Sequence, residues 1–287
     1  MCPRSKMTRS LKNMDTKLYE RIFQGWKGKY RVLDFTHLVF GEKISLKKPG
    51  SVKLFFLGEP LLHPEFDEFI KIANKHKVVV NLQTNGTLLY KEENITRLLD
   101  SGLFAVGISI DGLLFDDYEN IRVNSSAERV NEGIKQLIKK RNSSGSDMRI
   151  EVSTIVPEFE KSEKIYNSFF RDTLKKVDSV KYIVLDRFFS PEYHDNTGKI
   201  IFYENSINDY EEDKILCDEP FFKLNVLADG SVTPCCHDID GNMSFGNALD
   251  KNIDDIWNGK ALKKLRTGLY SHDLSSFSMC RECRFGK

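Results

Sequence analysis

The chain has 287 residues, with 43 basic and 42 acidic side chains and a formal net charge of +1. That length accommodates one large α/β domain plus a small appended module, and near-neutral charge supplies no global field for nucleic acid or an anionic membrane. No apolar run reaches the ~20 residues that span a bilayer, and the start lacks the apolar core of a signal peptide, so the chain reads as cytoplasmic with a small-molecule or peptide partner. Six cysteines are too few to staple a fold of this length with disulfides. Cys2 stands alone at the start, whereas Cys217, Cys235, Cys236, Cys280 and Cys283 all fall in the last quarter, the distribution of a C-terminal metal module.

In chain order, Met14, Leu18, Ile22 and Phe23 recur at helical spacing and predict a helix over 14–26. Residues 29–51 form a longer connection with a basic Lys47-Lys48-Pro49-Gly50 turn, read as a local insertion. Strand and helix patterns then alternate: strand 52–57 and helix 66–76, strand 78–82 and helix 92–100, strand 105–110 and helix 127–141, strand 148–156 and helix 161–176, and a strand at 181–185. Strands of branched apolar residues alternating with helices require right-handed parallel crossovers, hence a barrel or an open parallel sheet with ligands at the strand C-termini. Residues 186–216 are polar, aromatic-rich and weakly periodic, so the expected organisation is a domain over 1–186, a linker over 187–216 and a cysteine-rich domain over 217–287.

The strand ends carry Gly58-Glu59-Pro60, Thr84-Asn85-Gly86, Ser109-Ile110-Asp111-Gly112, and Pro157 after Val156. Gly58 lets backbone approach a ligand, Glu59 offers an acceptor for a cationic amine, and Asn85, Ser109 and Asp111 can bond hydroxyls or a carboxylate. Singly, each has a bland explanation, because Asn-Gly and Asp-Gly are common turns and Glu-Pro before a helix can be a cap. Together they suit a polar, zwitterionic nucleoside ligand.

The order of these strings resembles the radical S-adenosylmethionine (SAM) superfamily, carried by FLGEPLLHPEF at 56–66, QTNGTLL at 83–89, SIDG at 109–112 and the YENIR segment ending at Arg122. The resemblance implies an α/β fold, a partial (β/α)6 TIM-like barrel lacking its first strand. It also implies a [4Fe-4S] cluster and SAM, with Gly58, Glu59, Asn85, Ser109, Asp111 and Arg122 around the cofactor. Asp111 could instead only shape its turn, and Arg122 could pair with Glu119 or Asp117 on the surface. In that family three cysteines spaced C-x3-C-x2-C hold the catalytic cluster, and here only Cys2, followed by Pro3-Arg4, corresponds. The expectation is a chain that starts inside the motif, either a fragment or late start of a working enzyme or a degenerate descendant, with the first favoured.

From Cys217 the chain reads C-x12-G-x4-C to Cys235 and closes with Cys280-x2-Cys283, four thiolates suited to one cluster. An Asp229-Gly230 turn between short apolar strands forms a hairpin bringing Cys217 near Cys235. The segment resembles a SPASM or shorter twitch auxiliary domain, including Phe245-Gly246-Asn247 and Asp255-Ile256-Trp257, which implies one auxiliary [4Fe-4S] cluster on Cys217, Cys235, Cys280 and Cys283. Spacing alone suits a four-cysteine zinc site equally well. Cys236 reads as a bystander and His237 as a loop residue.

The resemblance implies an oxidoreductase in which a 5′-deoxyadenosyl radical abstracts hydrogen and the auxiliary cluster accepts the second electron. The distal cysteine spacing is similar to that of twitch-domain alcohol dehydrogenases, which favours oxidation of a sugar or cyclitol alcohol, with an electron donor such as flavodoxin or ferredoxin. Peptide modification, as by SPASM maturases, and a non-catalytic metal-binding scaffold are the alternatives. No residue stands out as a catalytic base.

Overall fold

Five parallel strands run in the spatial order β1-β2-β3-β4-β5, the same as their order in the chain: β1 Ser51–Leu54, β2 Val79–Thr84, β3 Ala105–Ser109, β4 Arg149–Val156 and β5 Ser179–Val184. The computed structural model describes residues 7–24, 51–55, 58–111, 118–119, 122–156, 170–184, 217 and 219–283. An order with no reversal, built from right-handed crossovers, puts the connecting helices on one face of the sheet, the arrangement of a barrel rather than of a doubly wound sheet. The two-sided alternative left open by the sequence is thereby removed. Among the described residues five strands stand where the resemblance implies six in the whole barrel, and the face opposite the crossover helices becomes the inner one.

Contacts divide the chain into two compact units. The first holds the sheet with helices α2 (Phe66–Lys75), α3 (Glu92–Asp100), α4 (Ala127–Ser144) and α5 (Arg171–Leu174). Helix α2 forms because Phe66, Phe69, Ile70 and Ala73 make one buried stripe, with Asp67 and Glu68 in its first turn and Lys75 in its last. The Ser126 side chain caps α4 by accepting from the Arg129 amide, and Gly145 ends it at φ 68°, a left-handed position glycine takes without a Cβ penalty.

Alternation along the strands separates the two faces of the sheet. Val80, Leu82, Thr84, Val106, Ile108, Ile150 and Val152 are buried. Asn81, Gln83, Gly107, Ser109, Glu151 and Ser153 are half-buried on the opposite face. Each buried branched residue contributes about 1.5–3 kcal/mol. A parallel sheet covered by apolar layers on both sides would be apolar on both. The polar second face is the one on which Gln83, Ser109 and Ser153 stand.

The second unit groups residues 7–24 with the C-terminal segment. Its helix α1 (Thr16–Gln24) buries Leu18, Tyr19, Ile22 and Phe23. The Arg21 Nε donates to the Ala248 carbonyl at 3.0 Å, and the Asp240 carboxylate accepts from the amides of Thr8 (2.6 Å) and Arg9 (3.1 Å). The sequence expectation assigned this stretch to the N-terminal domain; the long-range hydrogen bonds tie it to the cysteine-bearing unit. Further elements are α6 (Glu219–Phe222), the hairpin β6 (Asn225–Val226) with β7 (Val232–Thr233), α7 (Ile253–Trp257), α8 (Lys260–Tyr270) and α9 (Ser278–Glu282). Leu262, Leu265 and Leu269 of α8 pack with Phe221 and Leu274 as the core.

Arg266, 1% exposed, braces that core by donating to the carbonyls of Pro220 and Trp257, each at 2.8 Å, with its guanidinium 4.0 Å over the Trp257 ring. The Gly230 turn of the hairpin is at φ 87°, and a Cβ there would lie 2.4 Å from the Asn247 Oδ1, so only glycine fits. Among the described residues no helix is long and apolar enough to cross a membrane. The expected insertion at 29–50 and the linker at 186–216 lie outside the described residues, as do Pro157 and the first part of the helix expected at 161–176; its described part, α5, is helical.

Candidate functional site

Glu59 follows β1 and its carboxylate reaches across to the end of β2. Oε1 accepts from the Leu61 amide at 3.1 Å and the Thr84 hydroxyl at 2.7 Å, and Oε2 accepts from the Asn85 amide at 2.8 Å. Burial pushes the Glu59 carboxyl above its ordinary range, against the three hydrogen bonds and the positive charge of Arg122, which lower it. Asn85 does not point its side chain at Glu59; its Oδ1 accepts from the Thr87 amide (2.8 Å) and hydroxyl (2.6 Å), holding the turn after β2. Gly58 is exposed beside Glu59.

Ser109 sits at the end of β3 in a network the sequence reading missed. The Gln83 Nε2 donates to the Ser109 hydroxyl at 2.7 Å and to the Ser153 hydroxyl at 3.1 Å. Gly107, opposite Gln83 in the parallel register, makes room for this amide, because a Cβ at Gly107 would lie 2.1 Å from the Gln83 Oε1. The signal available in the sequence was the alternation itself: Gln83, Ser109 and Ser153 each stand at a polar position between buried apolar neighbours.

Asp111 and Arg122 are joined by an ion pair. Arg122 pairs with Asp111 at 2.5 Å, not with Glu119, whose carboxylate instead accepts from the Ala127 amide at the start of α4 at 3.1 Å. Asp111 is 4% exposed, so the pair is an internal one and not a surface contact. The Arg122 Nε is buried with no hydrogen-bond partner among the described residues, an orphan donor suited to an anionic ligand group. Asp117 lies outside the described residues.

The second constellation lies in the C-terminal unit, where Cys217, Cys235, Cys236, Cys280 and Cys283 are all half-buried and unbridged. Cys217 and Cys280 pack with Leu224, Phe245 and Phe277 against the α8 core. Burial, reinforced by their neighbouring thiols, pushes Cys217 up to about 12 and Cys280 up to about 11. The charges of Cys280 and Cys283 act on Cys217, and that of Cys217 acts on Cys235. Crowded thiols in an apolar setting stay protonated until a cation compensates their charge, which is the donor chemistry of a metal or iron–sulfur centre.

The adjacent thiols of Cys235 and Cys236 act on one another: the interaction holds Cys236 down and, with burial, pushes Cys235 up. His237, expected to be a plain loop residue, joins them, with the ligand atoms of the three residues within 4.8 Å of one another. Cys2 lies outside the described residues, so no ligand of a second centre is described.

The radical SAM superfamily model matches residues 20–154, and the SPASM model, an iron–sulfur cluster-binding domain, matches residues 217–284. Over 83 residues the chain is 36% identical to a probable GTP 3′,8-cyclase of Methanococcus maripaludis strain C5, a match over 29% of this chain and 27% of that protein. The matched stretch thus spans about a quarter of that relative's length. A GTP 3′,8-cyclase of Aliarcobacter butzleri is 28% identical over 229 residues, 68% of this chain and 67% of that one.

Among solved structures, BtrN in complex with AdoMet and 2-DOIA superposes with a TM-score of 0.52 at 16% identity, covering 98% of this chain and 85% of that chain. Streptococcus suis SuiB bound to S-adenosylmethionine superposes with a TM-score of 0.58 at 17% identity, covering 91% and 63%. At these identities the superpositions speak to the fold. The two family matches divide the chain as its own cysteines and strand ends do. The chain carries a radical SAM superfamily domain over residues 20–154 and a C-terminal SPASM iron–sulfur cluster-binding domain over residues 217–284.

Proposed function

We propose that this chain acts in a radical SAM oxidoreductase that converts a sugar or cyclitol alcohol to the carbonyl compound, using one auxiliary cluster. The family brings [4Fe-4S] clusters and SAM as cofactors. The observation that carries the reading is the SPASM match over residues 217–284, with Cys217 and Cys280 packed on the α8 core of that unit. When bound, SAM supplies the hydrogen-abstracting 5′-deoxyadenosyl group and the auxiliary cluster supplies a one-electron acceptor. Oxidation of the alcohol then balances: one hydrogen atom leaves carbon and becomes a C–H of 5′-deoxyadenosine, one electron goes to the acceptor, and the hydroxyl proton goes to solvent or a base. Reductive SAM cleavage draws its electron from a flavodoxin or ferredoxin.

The barrel residues have binding and orienting roles. Glu59 keeps lone pairs for a ligand ammonium while its three donors hold the carboxylate still. Arg122, steadied by Asp111, turns an unused Nε–H toward an anionic group. Ser109 accepts from Gln83, and its own proton can go to the Ser153 hydroxyl 3.5 Å away or to a ligand oxygen. Asn85 and Gly58 shape the turns beside them, and Gln83 and Ser153 make the same wall favourable for hydroxyl-rich ligands.

The test uses the whole protein, reconstituted anaerobically and offered carbon-deuterated aminocyclitols or peptides with SAM and a reductant. Deuterium passing from a carbinol carbon into 5′-deoxyadenosine is the expected result. Transfer from a peptide carbon would replace this reading with peptide modification. Absence of SAM cleavage in cluster-loaded protein would leave a binding scaffold.

A further inference from the structure

We infer that Cys235, Cys236 and His237 form a second, mononuclear metal site for a borderline divalent ion such as Zn2+, distinct from the four-cysteine set but sharing Cys235 with it. Their two sulfurs and an imidazole nitrogen lie within 4.8 Å of one another, and all three side chains are half-buried. A tetrahedral zinc with Zn–S of about 2.3 Å and Zn–N of about 2.0–2.1 Å has ligand–ligand edges of about 3.6–3.8 Å. Closing the present spacing therefore takes side-chain movements of about 1 Å or less.

The turn after β7 produces this grouping. The Thr233 hydroxyl donates to the Cys235 carbonyl at 3.3 Å, and the Asp238 amide donates to the same carbonyl at 3.3 Å. The Asp238 carboxylate then accepts from the amides of Asn242 and Met243, both at 2.8 Å, closing the loop behind His237. The His237 amide donates to the Cys235 sulfur at 3.3 Å, the kind of N–H···S contact that steadies a metal-bound thiolate. Two sulfurs and one imidazole form a soft-to-borderline set suited to zinc, and three protein ligands leave a fourth position for water.

A consequence follows from the shared residue. Cys235 can be a terminal ligand in only one set at a time, so an ion on the tripeptide competes with assembly of a centre on Cys217, Cys235, Cys280 and Cys283. The tripeptide site is complete only while Cys235 is not held by a cluster on the four-cysteine set. Cys236 and His237 then cease to be bystanders: they are the residues that let the loop hold an ion without Cys280 or Cys283.

The experiment titrates Co2+, and then competing Zn2+, into the cluster-free full chain under anaerobic conditions. A Cys280→Ser/Cys283→Ser variant removes half of the four-cysteine set and is expected to keep one Co2+ with sulfur-to-cobalt charge-transfer bands. In that background His237→Ala and Cys236→Ser are each expected to weaken Co2+ binding at least about tenfold, and Cys236→Ser also halves the charge-transfer intensity. Unchanged affinity in both, or loss of Co2+ binding in the Cys280→Ser/Cys283→Ser variant, overturns the inference. Zinc X-ray absorption on the unmutated cluster-free chain tests it without any variant: two sulfurs and one nitrogen support it, and four sulfurs place the ion on the four-cysteine set instead. In the wild type, preloaded Zn2+ is expected to lower later iron uptake, and His237→Ala is expected to relieve that block.

Discussion

The two units position their functional groups by opposite means. In the barrel unit, Glu59, Gln83, Ser109, Asp111 and Ser153 stand at or near the ends of adjacent strands, so the register of a hydrogen-bonded sheet decides their spacing. In the C-terminal unit the thiols come from loops and from one five-residue helix, and Cys217 and Cys280 pack on α8. A strand-end site is rigid before any ligand binds. A loop-borne site of crowded thiols draws part of its order from the metal. Substitutions should therefore separate by unit, with metal content responding in one and ligand affinity in the other.

The largest effect should come from Cys217→Ser, which removes a thiolate that sits partly buried on the apolar core. We expect loss of about four irons per chain, measured as iron and sulfide content after anaerobic reconstitution, with SAM affinity unchanged. If SAM affinity fell as well, the separation of the two units would fail.

Next, Glu59→Gln should weaken SAM binding by tenfold or more in calorimetry and leave iron in the C-terminal unit intact. It also carries a pH signature. Burial raises the Glu59 carboxyl, so its contribution to stability in the ligand-free protein is intact below the unfolded value of about 4.3 and is lost as pH rises through the raised folded value. The variant lacks this loss, and its stability relative to the wild type should improve as pH rises across that window. A pH-independent difference in denaturant titrations would contradict the assigned burial.

Arg266→Met tests the packing of the C-terminal unit. It leaves the buried carbonyls of Pro220 and Trp257 without their donor and should cost about 2–4 kcal/mol, read by chemical denaturation. Gly107→Ala is the matching test of the barrel, where the added Cβ drives Gln83 off Ser109 at a cost of about 1–3 kcal/mol. Adding Gln83→Ala should recover most of that cost, because the clash and the network share one side chain. At the small end, Lys71→Ala breaks an exposed pair with Asp67 on α2 and should change stability by less than about 0.5 kcal/mol.

Element order and most boundaries were legible in the sequence, because the strands alternate or run apolar and the helices carry buried stripes such as that of α2. The misses have physical reasons. The second strand was expected to end at Leu82 but continues through Gln83 and Thr84, since polar residues at a strand end read locally as a turn and only their pairing with β3 shows them to be strand. Arg122 has acidic neighbours in sequence at 117 and 119, yet the ion pair it makes is with Asp111, eleven residues away, a spacing that no local pattern singles out. Residues 7–24 precede the barrel in sequence and join the C-terminal unit through hydrogen bonds spanning more than 200 positions, a separation that no local pattern encodes.

By itself, the sequence determined the residue chemistry and the repeating unit: which side chains can donate, accept or ligate, and the alternation that makes a parallel α/β sheet. These depend on local spacing, and local spacing is written in the chain. Only the tertiary structure decided the companions, namely Gln83 with Ser109 and Ser153, Asp111 with Arg122, and Cys236 and His237 with Cys235. Companionship across elements depends on register and on the direction of each turn, and both are set by burying the two cores.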